Sequence, residues 1–442
     1  MKLPHFFGRP LVKHPVGMMI DSEKLVDLER KTISPRVFSD PKIHQLEQER
    51  IFTRCWLYVG HESQIPNRGD FVTGFVGEEP VIVCRDADGQ IRVFLNSCRH
   101  RGMLVCRVEE GNAKFFRCPY HGWTYDLQGK LTGVPDYRKA YHGDLKREEW
   151  PLLQAPRVTS YHGLIFACLD EHAVTLEEYL GDFRWYLDML FDRTASGMMT
   201  LPGTHKWTLK ANWKFAAEQF GGDNYHTMWA HESGVRTSIA QQFGGEHPWT
   251  NDWEAKTKEG HGWINFAFKD PPGIAEVVGP YTAWLRDQAR NRLTPTQIEQ
   301  IGCVHVGTVF PNFSILSFLG FLTVRVWNPR GPTRLDAWSW GMVERDAPPQ
   351  IMKLARDIQI RTFSPGGIFE QDDGEMWSYC TEASGGAYRR RFPLNYQMGA
   401  GHERADADRP GLIHPPPTEV GVFGFWERWR RQMSNETAEE KP

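Results

Sequence analysis

At 442 residues the chain exceeds the usual size of a single domain, so two domains and a large buried core are expected. A net charge of −3 gives no support for nucleic acid as a partner. The eight cysteines are scattered through a long chain rather than dense in a short one, which points to a reducing compartment and away from a disulfide framework.

The amino terminus begins Met1-Lys2-Leu3, but Arg9, Pro10, Lys13 and Pro15 interrupt any apolar core, so no secretory signal is expected. Residues 50 to 170 read as short strands separated by turns. Residues 81–85 and 91–95 flank Asp86-Ala87-Asp88-Gly89-Gln90, which has hairpin-turn chemistry. After Leu176 the pattern becomes helical, through residues 177–180 and the segment from Asn212 to His231. Residues 234 to 300 show no clear period and carry Gly244-Gly245, Pro271-Pro272-Gly273 and Gly279-Pro280, so a long loop is expected there, an entrance lid or a surface excursion. Strand character returns from Cys303 to Met342, with residues 321–327 and 335–340 as a hairpin of a larger antiparallel sheet. Residues 351–360 predict a helix, as does the one-sided spacing of Phe423, Phe425, Trp426, Trp429 and Met433. The charged tail after Asn435 is expected to be disordered. The longest apolar stretch, about residues 313–324, is too short to span a bilayer, so a soluble cytoplasmic protein with no membrane partner is expected. The order of elements predicts an α+β fold, with a β-rich domain at 41–160 inserted in a catalytic domain made of residues 1–40 and 161–442.

Inside the β-rich stretch stand two mixed clamps, Cys98-Arg99-His100 and Cys118-Pro119-Tyr120-His121, separated by seventeen residues. Two thiolates can hold one iron of a [2Fe–2S] cluster and two neutral imidazoles the other, which raises the reduction potential. A Cys2His2 zinc site is the rival, but the Cys-x-x-Cys and His-x3-5-His spacings it favours are absent. With Arg101-Gly102 and Gly122-Trp123 the pattern resembles the Rieske family, CxHRG…CPYHGW. Cys106, between the clamps, reads as a small apolar filler.

Further on, Glu218-Gln219-Phe220-Gly221-Gly222-Asp223-Asn224-Tyr225-His226 and His231 offer two imidazoles and several carboxylates, and residues 367–373 add another acidic site. Two histidines and one carboxylate make the facial triad of non-heme Fe(II), with the opposite face open to dioxygen and substrate. His226 and His231 are five apart and diverge by roughly 140° on a regular helix, so a π-bulge or a helix end must lie between them.

Over nearly all its length, from about Ser34, the chain resembles the catalytic α subunits of bacterial aromatic-ring-hydroxylating dioxygenases. The resemblance implies a helix-grip catalytic domain with a Rieske [2Fe–2S] domain set into it. It carries the iron ligands onto His226 and His231 of a GDxYHxxxxH run and onto Asp373, the second aspartate of Glu370-Gln371-Asp372-Asp373. Asp372 becomes the neighbour of the site, and Asp223 the bridge from one subunit's iron to His121 of the next in a head-to-tail trimer. Asn212 and Tyr225 are expected to serve catalysis, and Trp123 to support the cluster held by Cys98, His100, Cys118 and His121. Phe220, Phe363 and Phe369 match positions lining the pocket, and Thr227, His305 and Leu316 are candidates to join them.

Such a pocket suits an apolar or polycyclic aromatic substrate. A carboxylated one would need a buried arginine, for which Arg236 and Arg325 are the candidates. The expected reaction is ring dihydroxylation with O2; the alternative is monooxygenation or demethylation of an aromatic acid or ether. No Gly-x-Gly-x-x-Gly occurs, so electrons from NAD(P)H must arrive through a separate reductase and ferredoxin. Arg99, Arg101, Arg107, Lys114 and Arg117 could steer an acidic ferredoxin to the cluster loops. A small β subunit, giving an α3β3 hexamer, follows from the family.

Overall fold

The computed structural model describes residues 20–234, 236, 249–268 and 270–434. The expectations for the amino terminus, for Gly244-Gly245 and for the tail after Asn435 fall outside them.

Strands β1 (Asp70–Val76), β2 (Glu79–Arg85) and β3 (Ile91–Leu95) form an antiparallel meander, with Glu110–Asn112 on its edge. The expected turn is set by Asp86, whose Oδ1 accepts from the backbone N–H of Asp88 and Gln90 at 2.9 and 2.8 Å. Side chains alternate between two cores, as the pleat requires. Phe71, Ile82, Cys84 and Phe94 join a small cluster with Cys98, Cys118, Trp123 and Tyr125. Val72, Val81, Val83 and Val93, from the opposite face, join the large core of the chain.

The strand Leu57–His61 pairs with Leu164–Cys168, so the two ends of the intervening segment lie side by side. Helix Pro41–Glu47 packs Ile43 and Leu46 into the large core. Its fully buried Glu47 carboxylate accepts from Lys214 Nζ at 2.7 Å, Trp213 Nε1 at 3.1 Å and Trp429 Nε1 at 2.7 Å. A buried carboxylate demands such partners, and all three belong to the surrounding domain.

The larger domain is built on an antiparallel sheet. Its strands are β4 (Trp249–Lys256), β5 (Gly262–Phe268), β6 (Val304–Val309), β7 (Phe313–Phe318), β8 (Phe321–Pro329) and β9 (Leu335–Glu344), each paired with the next. Helices α1 (Trp213–Gly222) and α6 (Val420–Met433) lie against this sheet and against each other. Between them in the chain come α2 (Thr227–Ala230), α3 (Pro272–Ala289), α4 (Pro349–Phe363) and α5 (Ile368–Ser384). Phe423, Phe425, Trp426, Trp429 and Met433 are all buried on α6, as their spacing predicts.

The long aperiodic loop expected at 234–300 is not what the described residues form. They supply β4 and β5 of the sheet, then α3 and the short helix Pro295–Gln300. Glycine disguised the strand signal, because here it marks close approach rather than a turn. A Cβ on Gly262 would sit 1.9 Å from the Gly221 carbonyl oxygen of α1.

Candidate active site

The two clamps adopt the same loop. Cys98 N–H donates to the Met103 carbonyl at 2.9 Å and Gly102 N–H returns to that of Cys98 at 2.8 Å; Cys118 with Trp123, and Gly122 with Cys118, repeat the pattern at 2.8 and 3.0 Å. Gly102 and Gly122 close both loops at φ of +71° and +73°, a region other residues avoid. Both thiols are buried, and the His100 and His121 rings lie 4.5 Å apart. His100 Nδ1 is buried without a hydrogen-bond partner, and Trp123 stacks on the same ring at 5.1 Å. Burial, with Cys98 alongside, raises the Cys118 thiol, the cost a bound cation would remove. Two thiols on one side and two imidazoles on the other fit a [2Fe–2S] cluster of mixed ligation. Tyr125 Oη, 3.3 Å from Cys98 Sγ, is a sulfur partner that motif reading missed.

The second centre sits where α1 stops. Gly222 ends the helix and Asp223 caps it with φ of −116°, so His226 opens the separate turn α2 and His231 closes it. α1 thus ends upstream of both histidines, which stand at the two ends of the short α2 with ring centroids 5.2 Å apart. The His226 Nδ1–H meets the Asp223 carbonyl oxygen, and His231 Nδ1 lies 3.2 Å from Asp372 Oδ2. Both rings therefore turn Nε2 inward, to 3.5 and 3.4 Å from the same oxygen, Asp373 Oδ1. One ligand atom from each of the three residues falls within 4.8 Å of the others, the two imidazoles from the ends of α2 and the carboxylate from α5. Two imidazoles and a carboxylate so placed fit the facial triad of a non-heme iron.

Gln219 completes the group. Its Oε1 accepts from Trp377 Nε1 at 2.7 Å, which turns Nε2 toward Asp373 Oδ1 at 2.8 Å and His226 Nε2 at 3.3 Å. Asp223, whose side chain is 31% exposed, accepts from the His226 backbone N–H at 3.1 Å and faces the cavity beside the triad.

That cavity, its open mouth included, measures about 650 Å³. Phe220, Thr227, Leu316, Phe363 and Phe369 line it as expected. Its floor is a stripe across the sheet: Ile264 pairs with Val306 and Val306 with Leu316, while Phe266 pairs with Val304. Ile264, Phe266, Val304, Val306 and Phe318 went unrecognised because only the register shows which alternate positions face one side.

Three expected residues stand elsewhere. His305 lies between Val304 and Val306 and so faces away from the cavity; its Nε2 lies 3.1 Å from the Gln300 carbonyl, and burial holds the ring neutral, with a pKa near about 3. Asn212 is the N-cap of α1, accepting from Lys214 N–H at 3.0 Å and donating to the Pro332 carbonyl at 2.7 Å. Its side chain is spent on helix initiation. Tyr225 points outward, 46% exposed. The candidate arginines are also spoken for. Arg325 is buried against Glu370 at 2.5 Å, and Arg236 pairs with Glu232 at the surface.

Fold and sites together define a two-centre metalloprotein, in which a cluster-binding β domain is inserted into the chain that builds a mononuclear centre. Comparison with known proteins agrees. Residues 55–157 match the Rieske [2Fe-2S] domain, and residues 176–435 match the ring-hydroxylating α subunit catalytic domain. The chain is 42% identical to the biphenyl 2,3-dioxygenase α subunit of Rhodococcus jostii, covering 94% of this chain and 92% of that one. It is 40% identical to a benzene 1,2-dioxygenase α subunit of Pseudomonas putida, over 93% of each. The crystal structure of naphthalene 1,2-dioxygenase from a Rhodococcus species superimposes with a TM-score of 0.84 at 39% identity, over 94% of this chain and 98% of that one. The chain belongs to the family of ring-hydroxylating α subunits.

Proposed function

We propose that this chain is the catalytic subunit of a terminal oxygenase that dihydroxylates an apolar aromatic ring. One observation carries the reading: an apolar, aromatic-walled cavity whose polar corner consists of His226, His231 and Asp373 with Gln219 and Asp223. Among the described residues no arginine or lysine lines it, so a carboxylated substrate would lose its hydration there without a counter-charge. When bound, the cluster supplies single electrons and the iron activates dioxygen. The residues do the rest. Asp372 and the Asp223 carbonyl orient the two imidazoles. Phe220, Phe363 and Phe369 exclude water and hold the ring beside the triad.

Electrons reach the site across a subunit boundary in this reading, from His121 of one chain to Asp223 of the next. Two unlike exposed surfaces support it. Leu104, Val108, Phe115 and Tyr120 rim the cluster loops, while Tyr225, Trp229, Met376 and Tyr379 flank the mononuclear site. Two different patches, rather than one self-complementary patch, make a heterologous interface, which forms a ring where the rotation closes. Arg101, Arg107, Lys114 and Arg117 remain exposed on the cluster side for an acidic ferredoxin, whereas Arg99 turns inward to the Pro151 carbonyl at 3.0 Å. A ferredoxin, its reductase and a small β subunit are the proposed partners.

The test is product analysis under labelled dioxygen, with ferredoxin and reductase supplied, on mono-, bi- and polycyclic aromatics. A diol with both oxygens labelled is expected. A single labelled oxygen, or formaldehyde from an N- or O-methyl substrate, would favour the monooxygenase alternative.

A further inference from the structure

A second cavity, about 520 Å³ with its open mouth included, lies beyond the aromatic wall of the first. Phe318 lines the metal-side pocket and Phe321 lines this one. Their rings meet edge-on at 6.0 Å, and Phe363 stands 6.2 and 6.3 Å from the two, so the spaces are partitioned by aromatic rings. The metal-side chemistry makes no use of the second cavity.

Its lining combines Leu285, Phe321 and Met342 with a buried charged group. Arg193 is 8% exposed, and its Nη2 lies 2.7 Å from Glu344 Oε1. Tyr281 donates to Glu344 Oε2 at 2.5 Å. Arg193 Nε is buried with no acceptor. A buried unsatisfied polar atom is costly, and Arg193 Nε and Glu344 Oε1, both without a hydrogen-bond partner, belong to residues that line this cavity.

We propose that this cavity is a second small-molecule site, for a neutral ring compound that carries a hydroxyl or carbonyl oxygen. The oxygen accepts from Arg193 Nε and the ring lies against the apolar wall. Charge selects neutrality: Glu344 already balances Arg193, so a carboxylate would place a second negative charge beside Glu344, and an amine would meet the guanidinium. The site stands on the geometry of this cavity and is independent of which ring the oxygenase hydroxylates.

The test uses the assembled holoenzyme and 1-indanol, with indane and 1-indanecarboxylate as controls. Equilibrium dialysis is expected to count one 1-indanol site fewer per chain in Thr282→Trp, which plugs the lining without touching the ion pair. Arg193→Met should weaken that site about tenfold, the worth of one buried hydrogen bond to a charged donor. Cys303, which lines the cavity, should be alkylated several-fold more slowly in the presence of 1-indanol, by peptide mapping. Equal stoichiometry in wild type and Thr282→Trp would overturn the proposal. So would equal protection by indane or the carboxylate.

Discussion

His226 and His231 each spend one ring nitrogen on an oxygen acceptor so that the other faces Asp373. Removing such an outer partner typically costs about 10–100-fold in metal affinity or activity. Asp372→Asn is therefore expected to lose turnover in that range and to release iron faster to a chelator, with the visible spectrum of the cluster unchanged. A second expectation concerns pH. Burial opposes a charge on His226, but the Asp223 carboxylate, and after it that of Asp373, outweigh burial and lift the metal-free imidazole from 6.5 to about 9. A metal ion must expel that proton, so affinity for Fe(II) or Co(II) should fall about tenfold per pH unit below the raised value. For the metal-free protein the sign is opposite: the proton's stabilisation is complete below 6.5 and is lost as pH rises to about 9. Co(II) titration and melting of the metal-free protein at the two ends of that window measure both, and a pH-independent affinity would refute the assignment.

At the scale of elements, the mononuclear site depends on where α1 starts and stops. Its start is anchored by Asn212 and by Lys214, whose ammonium is wholly buried on Glu47 at 2.7 Å. Trp213 and Trp429 donate to the same carboxylate, so one buried charge ties helix Pro41–Glu47, α1 and α6 together. Breaking such a pair strands the remaining charge and typically costs about 3–5 kcal/mol. Lys214→Met should lower the melting temperature accordingly, and adding Glu47→Gln should recover much of the loss. If the double variant is no more stable than the single one, the cost lies in packing rather than in the stranded carboxylate. At the other end, Gly222 is required by contact: a Cβ there would lie 2.5 Å from Gly421 Cα of α6. The helix therefore ends beside the site with its partner helix fixed against it.

At the scale of the molecule, the cluster loops and the triad belong to separate cores, and the two exposed apolar surfaces differ in composition. If electrons cross between subunits, chains lacking one centre each should complement. Co-assembled Cys98→Ser and His226→Ala chains are expected to turn over, although neither does so alone. An inactive mixture with verified co-assembly would place the transfer within one chain. Asp223→Asn should keep both metal centres and still stop product formation, because its amide cannot carry the charge of the bridge.

Short-range chemistry was legible from residue order. The two clamps, the paired histidines, Asp372 and Asp373, and the one-sided α6 are local patterns, and the spacing of His226 and His231 alone required a departure from one regular helix, by a π-bulge or a helix end. What required the tertiary structure was anything depending on which residues face each other. His305 and Val306 are neighbours in the chain, yet only strand pairing decides that Val306 enters the cavity and His305 does not. Asn212 looked like site chemistry because it opens the right segment, and only the helix it caps reveals its role. Gly262 read as loop because a glycine serves turns and close contacts alike, and the sequence does not record that α1 passes overhead. Local geometry is written in adjacent residues; the far side of every contact comes from chain tens or hundreds of residues away, and only folding selects it.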